Sequence, residues 1–447
     1  HLSLRRQRQM CIRDSGWVIA SGFRPSALDA PVTIAELDRA THGQPLLIKH
    51  NSGHAYTVNT AALRAAGIDP ANPPEVEGGE FVRDEDGNCT GLVDENAMRA
   101  IQSVTLPESG EEIAQALELA TQRYLERGLT SVTDAGVAGG WIGHSPREIA
   151  AYQQATLHTR MQIMVTMDVL HEIHGHESDG PGWGLDGGLR TGFGDEWLQI
   201  GPVKMFSDGS ILGTTAALTE DYVCCSHHGY FQGDPEQMRE RALNAAASGW
   251  SLAIHAIGDA AVDFAIESLE KAVDRYGEPA MPHRIEHGGI VRPDQMERLR
   301  GKPIVVVPQP LFIKAFGDAM ADALGPERAA WSYPGKRLLD ADLILPGSSD
   351  QPVAPGVPLE IMQAAIERRT ETGRDYGPAD RLTPEEALYA YTAGSAAATG
   401  WAGRKGQVIP GQLADFVLLS ADPLTTVLST ISVAATIVGG ELRYGSF

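Results

Sequence analysis

The sequence predicts an α/β fold of the TIM-type (β/α)8 barrel class. From about residue 111 onward, short runs rich in Val and Ile alternate with amphipathic segments of helical periodicity. Such runs are typical of buried parallel strands, and their alternation with helices is typical of a barrel. Several runs end in a polar residue, and the carboxyl ends of barrel strands are where catalytic residues collect. The length of 447 residues suits a barrel with additions.

The predicted barrel elements follow one another in a regular order. EEIAQALELATQRYLERG is an amphipathic helix, TSVTDAG a strand, 146–157 a helix and MQIMVTM a strand. There follow the strand with Lys204, a helix from about 235, the strand with His255, the helix 260–276, the strand with His287 and the strand PIVVVPQP. LILPGSSD is expected to be the last strand. One strand of an eight-stranded barrel is then not found, and the order of the elements makes it the first.

The chain is interpreted as four parts. Residues 1–15 are basic, and their string MCIRDS is similar to translated sequencing-adapter read-through, so we expect a non-native segment and a truncated natural N-terminus. Residues 16–110 are rich in Pro and Gly, with one clear helix at VNTAALRAAGI, and are interpreted as an insertion or lid. Residues 111–400 form the barrel domain, in which residues 383–399 are expected to form one helix with Thr383 as its N-cap. Residues 401–447 form a small β-element outside it, with strands in GQLADFVLLSAD and ISVAATIVGGELRYG.

Composition limits the function classes. The formal net charge of −22 argues against nucleic acid and anionic membrane surfaces as partners, because both favour basic patches. The 4 cysteines form no CxxC pair, so a thiolate zinc site is not expected. No run of about 18 apolar residues predicts a membrane span. The expected partner is a small-molecule substrate, with a homodimer left open. The expected location is the cytoplasm, unless a lost N-terminus carried a signal peptide.

Four residues at the ends of separate apolar runs are the candidate site. They are Lys204 in IGPVKMFSDGS, His255 in SLAIHAIGD, His287 in HRIEHGG and Asp350 in LILPGSSDQP. If the fold is a barrel, these side chains converge at one end of it. Two imidazoles, a carboxylate and a lysine together indicate a metal centre that activates water.

Several motifs resemble those of a known family. VKMFSDGS, HAIGDAAVD, HRIEHG and GSSDQPV, followed by LYAYTAGSAAATG and GQLADFVLLSADPL, are similar to the amidohydrolase superfamily. Within it the chain resembles the amidohydrolase-3 group, which includes N-substituted formamide deformylase-like enzymes. The resemblance covers residues 16–447. It implies a (β/α)8 barrel with a small β-sandwich, of which residues 401–447 would be the C-terminal part.

The resemblance also implies a metal site, with zinc as the expected ion and one or two ions bound. The ligands carried over by position are Lys204, His255, His287 and Asp350, with Lys204 carboxylated by CO2 and Asp350 also acting as general base. The family's HxH pair after the first strand has no counterpart at the expected place. His174 and His176 have HxH spacing, but they follow the third strand and are interpreted as part of a polar loop.

Each site residue has a structural alternative. Lys204 could form a buried ion pair, the two histidines could be core residues, and Asp350 could cap the following helix. Three further strand-end acids are equally consistent with turns and with support of a site: Asp134, Asp208 and Asp259.

The sequence therefore predicts a metal-dependent hydrolase of a carbon–nitrogen bond other than a peptide bond, acting on an amide or N-substituted formamide. Two alternatives stay open. One is a barrel that has lost its metal and its activity, and the other is an enzyme that uses Lys204 to form a Schiff base.

Overall fold

The structure is a computed structural model that describes residues 16–23, 28, 32–50, 52–105, 109–139, 145–179 and 182–446. The segment interpreted as non-native, residues 1–15, lies outside the described residues. The chain divides into two compact units, residues 1–107 and residues 108–447. No helix among the described residues has the length and apolar character needed to cross a membrane.

The strands of the described residues are β1 (Val18–Phe23), β2 (Leu46–His50), β3 (Ala55–Val58), β4 (Gly79–Arg83), β5 (Cys89–Glu95), β6 (Ser131–Val137), β7 (Arg160–Val165), β8 (His171–Ile173), β9 (Gly182–Gly184), β10 (Leu198–Ile200), β11 (Val203–Phe206), β12 (Leu252–Ala256), β13 (His283–His287), β14 (Ile304–Val307), β15 (Phe416–Leu419), β16 (Val433–Val438) and β17 (Glu441–Gly445).

The α-helices are α1 (Ile34–Thr41), α2 (Thr60–Ala65), α3 (Met98–Thr105), α4 (Gly110–Glu126), α5 (Ile149–Gln154), α6 (Pro235–Ala247), α7 (Asp259–Tyr276), α8 (Pro293–Leu299), α9 (Leu311–Trp331), α10 (Lys336–Asp340), α11 (Pro358–Glu367), α12 (Pro384–Tyr389) and α13 (Ser395–Ala398). A π-helical turn, Ala390–Gly394, joins α12 to α13.

The first unit is a five-stranded mixed sheet in the order β1-β2-β3-β5-β4. Its helix α2 lies where the sequence predicts one, and Asn59 caps it by accepting the Ala62 N–H at 3.0 Å. The sequence analysis did not foresee the strands. In β5 the buried positions include Gly91 and Glu95, so burial alternates along the strand while the apolar pattern does not.

The second unit contains the parallel strands predicted for a barrel. They form two sheets, β10-β7-β6 and β11-β12-β13-β14, with all neighbours parallel. One bridge between Thr166 and Lys204 links them. The helices α4 to α7 were predicted between strands, whereas α8, between β13 and β14, was not; Trp250, Leu252 and Ile254 belong to the core of this unit. In the described residues the strands do not close into one ring.

The predicted last strand, LILPGSSD, is wrong as a strand. The segment is extended, but no strand of the described residues pairs with it. Pro346 has no N–H, and the Gly347 N–H donates to the Ala390 carbonyl at 2.8 Å. That carbonyl belongs to the π-helical turn, which interrupts the single helix predicted over residues 383–399. The π turn therefore holds the segment that leads to Asp350.

The C-terminal residues form the antiparallel sheet β15-β16-β17, in agreement with the strands predicted in GQLADFVLLSAD and ISVAATIVGGELRYG. The Thr436 hydroxyl of β16 donates to the Leu125 carbonyl at the end of α4, 2.7 Å away. The sheet is thereby attached to the first helix of the second unit.

Candidate functional site

Strand register places two of the candidate side chains, together with one further acid, on one face of a sheet. Lys204 of β11 pairs with Ala253 of β12, and His255 pairs with Glu286 of β13. Residues two apart on a strand share a face, so Lys204, His255 and Glu286 point to the same side. The intervening Ile254 and Ile285 are buried on the opposite side. Lys204 and His255, which the sequence predicts as site residues, therefore share one face of adjacent parallel strands with Glu286, which the sequence analysis did not single out.

His287 reaches this face through a local change in the backbone. It follows Glu286 directly, so regular strand alternation would send its side chain to the opposite side. Its φ of 74° lies in the left-handed region and turns the chain. The His287 ring then contacts the His255 ring at a centroid distance of 4.6 Å. Gly288 must lack a side chain, because a Cβ there would lie 2.3 Å from Val306 Cγ1.

Lys204 is buried, with 3% of its surface exposed. Its Nζ lies 4.7 Å from the centroid of the Phe206 ring. Burial lowers the pKa of Lys204, and the negative charges of Glu286 and Asp350 counteract only part of that effect. Glu286 is held by two hydrogen bonds from Arg284, at 2.6 and 3.0 Å. The acid nearest in register therefore already has a cationic partner, which disfavours the ion-pair interpretation of Lys204.

His255 is held by main-chain and carboxylate groups. Its Nε2 lies 3.0 Å from the Gly209 carbonyl oxygen and 3.4 Å from Asp208 Oδ1. A carbonyl oxygen only accepts, so Nε2 carries the hydrogen and Nδ1 has the lone pair. Asp208 is fixed in turn by the N–H groups of Ile257, Gly258 and Ala217, at 2.8 to 3.0 Å. Asp208 thus supports His255, one of the two roles that the sequence left open for it.

His287 is held by a side-chain amide. Its Nδ1 lies 2.7 Å from Gln309 Oε1, and its ring stacks at 6.4 Å on Phe312. Burial lowers the pKa of His287, and the negative charge of Asp350 opposes this shift. The neutral imidazole, which is the form that binds metals, is therefore favoured. The sequence analysis did not single out Gln309, although it follows the apolar run PIVVV just as the other site residues follow theirs.

Asp350 lies half-buried at the end of the extended segment, with a φ of 56°. Its charge acts on both Lys204 and His287. The next helix, α11, begins at Pro358 with Val357 in the N-cap position, so the helix-cap alternative for Asp350 is wrong. Its carbonyl instead accepts the Val353 N–H at 2.8 Å in a local turn.

The chemistry of these donors fits a divalent cation. The set offers an imidazole nitrogen from each histidine, a carboxylate and a buried amine whose pKa is lowered. Such a mixed nitrogen and oxygen set suits zinc, iron or manganese. Within the part of the chain that the structure describes, no three or more His, Cys, Asp or Glu side chains are arranged so that they could hold a metal ion, so His255, His287 and Asp350 do not form a three-ligand group without Lys204.

Comparison with known proteins decides the family. The Amidohydrolase family model matches residues 4–444. The chain belongs to the Amidohydrolase family. The YtcJ protein of Bacillus subtilis, named as an amidohydrolase, is 28% identical to this amidohydrolase over 99% of this chain and 82% of its own. An N-substituted formamide deformylase of Arthrobacter pascens is 29% identical over 96% of this chain and 79% of its own.

A solved structure has the same architecture. It is an uncharacterized metal-dependent hydrolase from Pyrococcus horikoshii, with a TM-score of 0.72 and 26% identity, and the match covers 96% of this chain and 81% of that one. This amidohydrolase is therefore a hydrolase of a metal-dependent superfamily with the family's barrel-type α/β fold.

The other acids of the amidohydrolase named from sequence lie in separate networks. Asp134 accepts the Tyr152 hydroxyl at 2.6 Å, and burial raises its pKa. Asp259 accepts the Thr219 N–H and an N–H of Arg292, each at 3.0 Å.

The HxH residues 174 and 176 are exposed on a loop. Tyr333 is buried, with its ring 5.6 Å from that of Phe312.

Proposed function

We propose that this amidohydrolase hydrolyses a carbon–nitrogen bond other than a peptide bond, in an amide or an N-substituted formamide. The contact between the His255 and His287 rings carries the proposal. It brings two imidazoles together on the face that buries Lys204, within the electrostatic reach of Asp350. The alternative, in which His255 and His287 are structural core histidines, is disfavoured. It would leave the burial of a lysine near a carboxylate unexplained, and buried charged groups of this kind are typical of functional sites.

Lys204, His255, His287 and Asp350 would hold a divalent metal, for which zinc is our first expectation. Such an ion supplies Lewis acidity, which polarises a carbonyl and lowers the pKa of water to roughly 7. His255 Nδ1 and His287 Nε2 are the imidazole nitrogens with lone pairs, given the hydrogen bonds of their partner nitrogens. Both rings are thus oriented before any ligand arrives.

Lys204 supplies an anionic ligand after carboxylation. Its lowered pKa favours the neutral amine, which attacks the carbon of CO2 and loses a proton to give a carbamate. The product converts a cationic side chain into an anionic one at a buried position. That exchange gives a physical reason for a lysine on this face of the sheet.

Asp350 acts as the general base and then as the general acid. Its carboxylate takes a proton from the attacking water and delivers it to the leaving nitrogen, which departs as a neutral amine. Two observations support this role: Asp350 is half-buried, and a left-handed turn at its own backbone ends the extended segment. Similarity to a formamide deformylase supports the substrate class, and the Phe206 ring beside Lys204 offers an apolar contact for an N-substituent.

The experiment is hydrolysis of a panel of N-substituted formamides and simple amides by the full chain, reconstituted with zinc in bicarbonate buffer. We expect amine release that depends on both zinc and bicarbonate. Borohydride added with each substrate should leave no adduct on Lys204. A trapped adduct on Lys204 would establish the Schiff-base alternative. A chain that takes up no zinc and releases no amine would establish the inactive barrel.

A further inference from the structure

We infer that Gln309 is a positioning residue that sets the tautomer of His287, so that His287 Nε2 presents its lone pair to the metal. The inference rests on the metal site of the proposed function. It assigns a role to a residue outside the four expected ligands.

The orientation of the Gln309 amide follows from its partners. Gln309 is 2% exposed and lies two residues after Val307, the last residue of β14. Its Nε2 donates to the Val307 carbonyl at 2.6 Å and to the Ser348 hydroxyl at 3.1 Å. The reverse orientation would place the Gln309 carbonyl oxygen against the Val307 carbonyl oxygen, and two acceptors repel each other. Gln309 Oε1 is therefore the atom that faces His287.

The tautomer of His287 follows from this orientation. Gln309 Oε1 can only accept, so His287 Nδ1, 2.7 Å away, must carry a hydrogen. A metal-binding imidazole is neutral and has one N–H group, which leaves the lone pair on Nε2. Without Gln309 the ring could exchange its hydrogen between the two nitrogens and could rotate, and both changes would remove the ligand atom from the site.

Gln309 also joins the two halves of the site. Ser348 lies two residues before Asp350 in the extended segment, so one amide contacts both the His287 ring and the segment that carries the carboxylate. His255 differs in this respect, because a main-chain carbonyl, that of Gly209, fixes its hydrogen. Of these two orienting groups, Gln309 is the one that a side-chain substitution can remove.

The first test compares Gln309→Met with Gln295→Met in the full chain. Gln295 is also fully buried, and its amide donates to the Asp259 carbonyl at 2.8 Å and accepts the Arg292 N–H at 2.9 Å, so it controls for the loss of a buried amide. Metal-stripped protein is titrated with Zn2+ against a chelator. We expect Gln309→Met to raise the Kd for Zn2+ by about 10- to 100-fold, which is the usual effect of removing a side chain that orients a metal ligand. Gln295→Met should change it by less than about threefold.

The second test reads the tautomer without metal. Nitrogen-15 NMR of the histidine-labelled, metal-free chain should show His287 with its hydrogen on Nδ1, identified by the loss of that signal in His287→Asn. In Gln309→Met the hydrogen should move to Nε2 or populate both nitrogens. An unchanged tautomer, or a Kd for zinc equal to that of the wild type, would overturn the inference. If the wild type binds no zinc, the proposed function fails and the tautomer measurement alone decides whether Gln309 orients the ring.

Discussion

Two pairs of histidines in this amidohydrolase differ in their spacing along the chain, in their burial and in the groups that contact their rings. His174 and His176 have the short spacing of a familiar metal-binding motif, but both are exposed, and His176 Nδ1 lies 2.8 Å from the Ser178 hydroxyl. His255 and His287 are far apart in sequence, yet their buried rings are in contact and each has a fixed partner. Strand register and burial therefore favour His255 and His287 as candidate ligands, whereas spacing along the chain would favour His174 and His176.

A third histidine shows that burial alone is not sufficient. His283 stands at the opposite end of β13 from His287 and is 2% exposed. Its Nδ1 accepts the Leu252 N–H at 3.0 Å, so its lone pair is used within the fold. His283 is thus a structural histidine, and its contrast with His287 depends on which group occupies each ring nitrogen.

The largest expected effect is on zinc binding, and it tests the contrast between the buried pair of histidines and the loop pair. His255→Asn or His287→Asn should weaken zinc binding by at least about 100-fold, more than the loss of an outer partner, because a ligand atom itself is removed. His174→Asn and His176→Asn should leave binding within about twofold of wild type, since exposed loop residues rarely affect a distant site. Chelator competition measures all four variants. Zinc loss in the loop variants instead would reverse the assignment.

A second expected effect concerns the proton acceptor, in a variant that keeps Lys204, His255 and His287. Asp350→Asn keeps the size of the side chain but removes the proton acceptor, so turnover should fall by about 100-fold or more. The melting temperature should stay within a few degrees, because Asp350 is half-buried and holds no helix cap. Steady-state kinetics on the best formamide substrate measure the change, and Asp340→Asn on the exposed end of α10 is the matched control. Turnover close to that of the wild type would remove Asp350 from the mechanism.

The smallest functional effect is expected at His283. Burial lowers the pKa of His283 from 6.5 to about 4. Between pH 6.5 and pH 4, His283 binds a proton in the unfolded chain but not in the folded chain. The free energy of unfolding should therefore fall as the pH drops from 6.5 to 4, by about 3 kcal/mol in total. His283→Asn, whose Oδ1 can accept the Leu252 N–H, should remove this part of the pH dependence and leave zinc binding unchanged. Urea unfolding of the metal-free protein at several pH values tests this, and an unaltered pH profile in the variant would contradict it.

Much of the second unit was predictable from sequence because its signals are local. Val- and Ile-rich runs identified β11 to β14, and helical periodicity identified α4 and α7. Thr383, predicted as an N-cap, does accept the Glu386 N–H in a capping box. Lys204, His255, His287 and Asp350 could be named as candidates because each lies at or near the end of an apolar run, a property that a single strand displays by itself.

Only the tertiary structure decided the rest. The sheet of β1 to β5 was missed in part because β5 buries Gly91 and Glu95, so the residues that alternate in burial along β5 are not all apolar. LILPGSSD reads as a strand, but its backbone bonds to the π-helical turn that the chain supplies much later. The site depends on the positive φ of His287 and on the Gln309 amide between two segments. In the second unit local periodicity indicates which elements are buried, whereas the partner of each polar atom depends on segments that meet only in the folded chain.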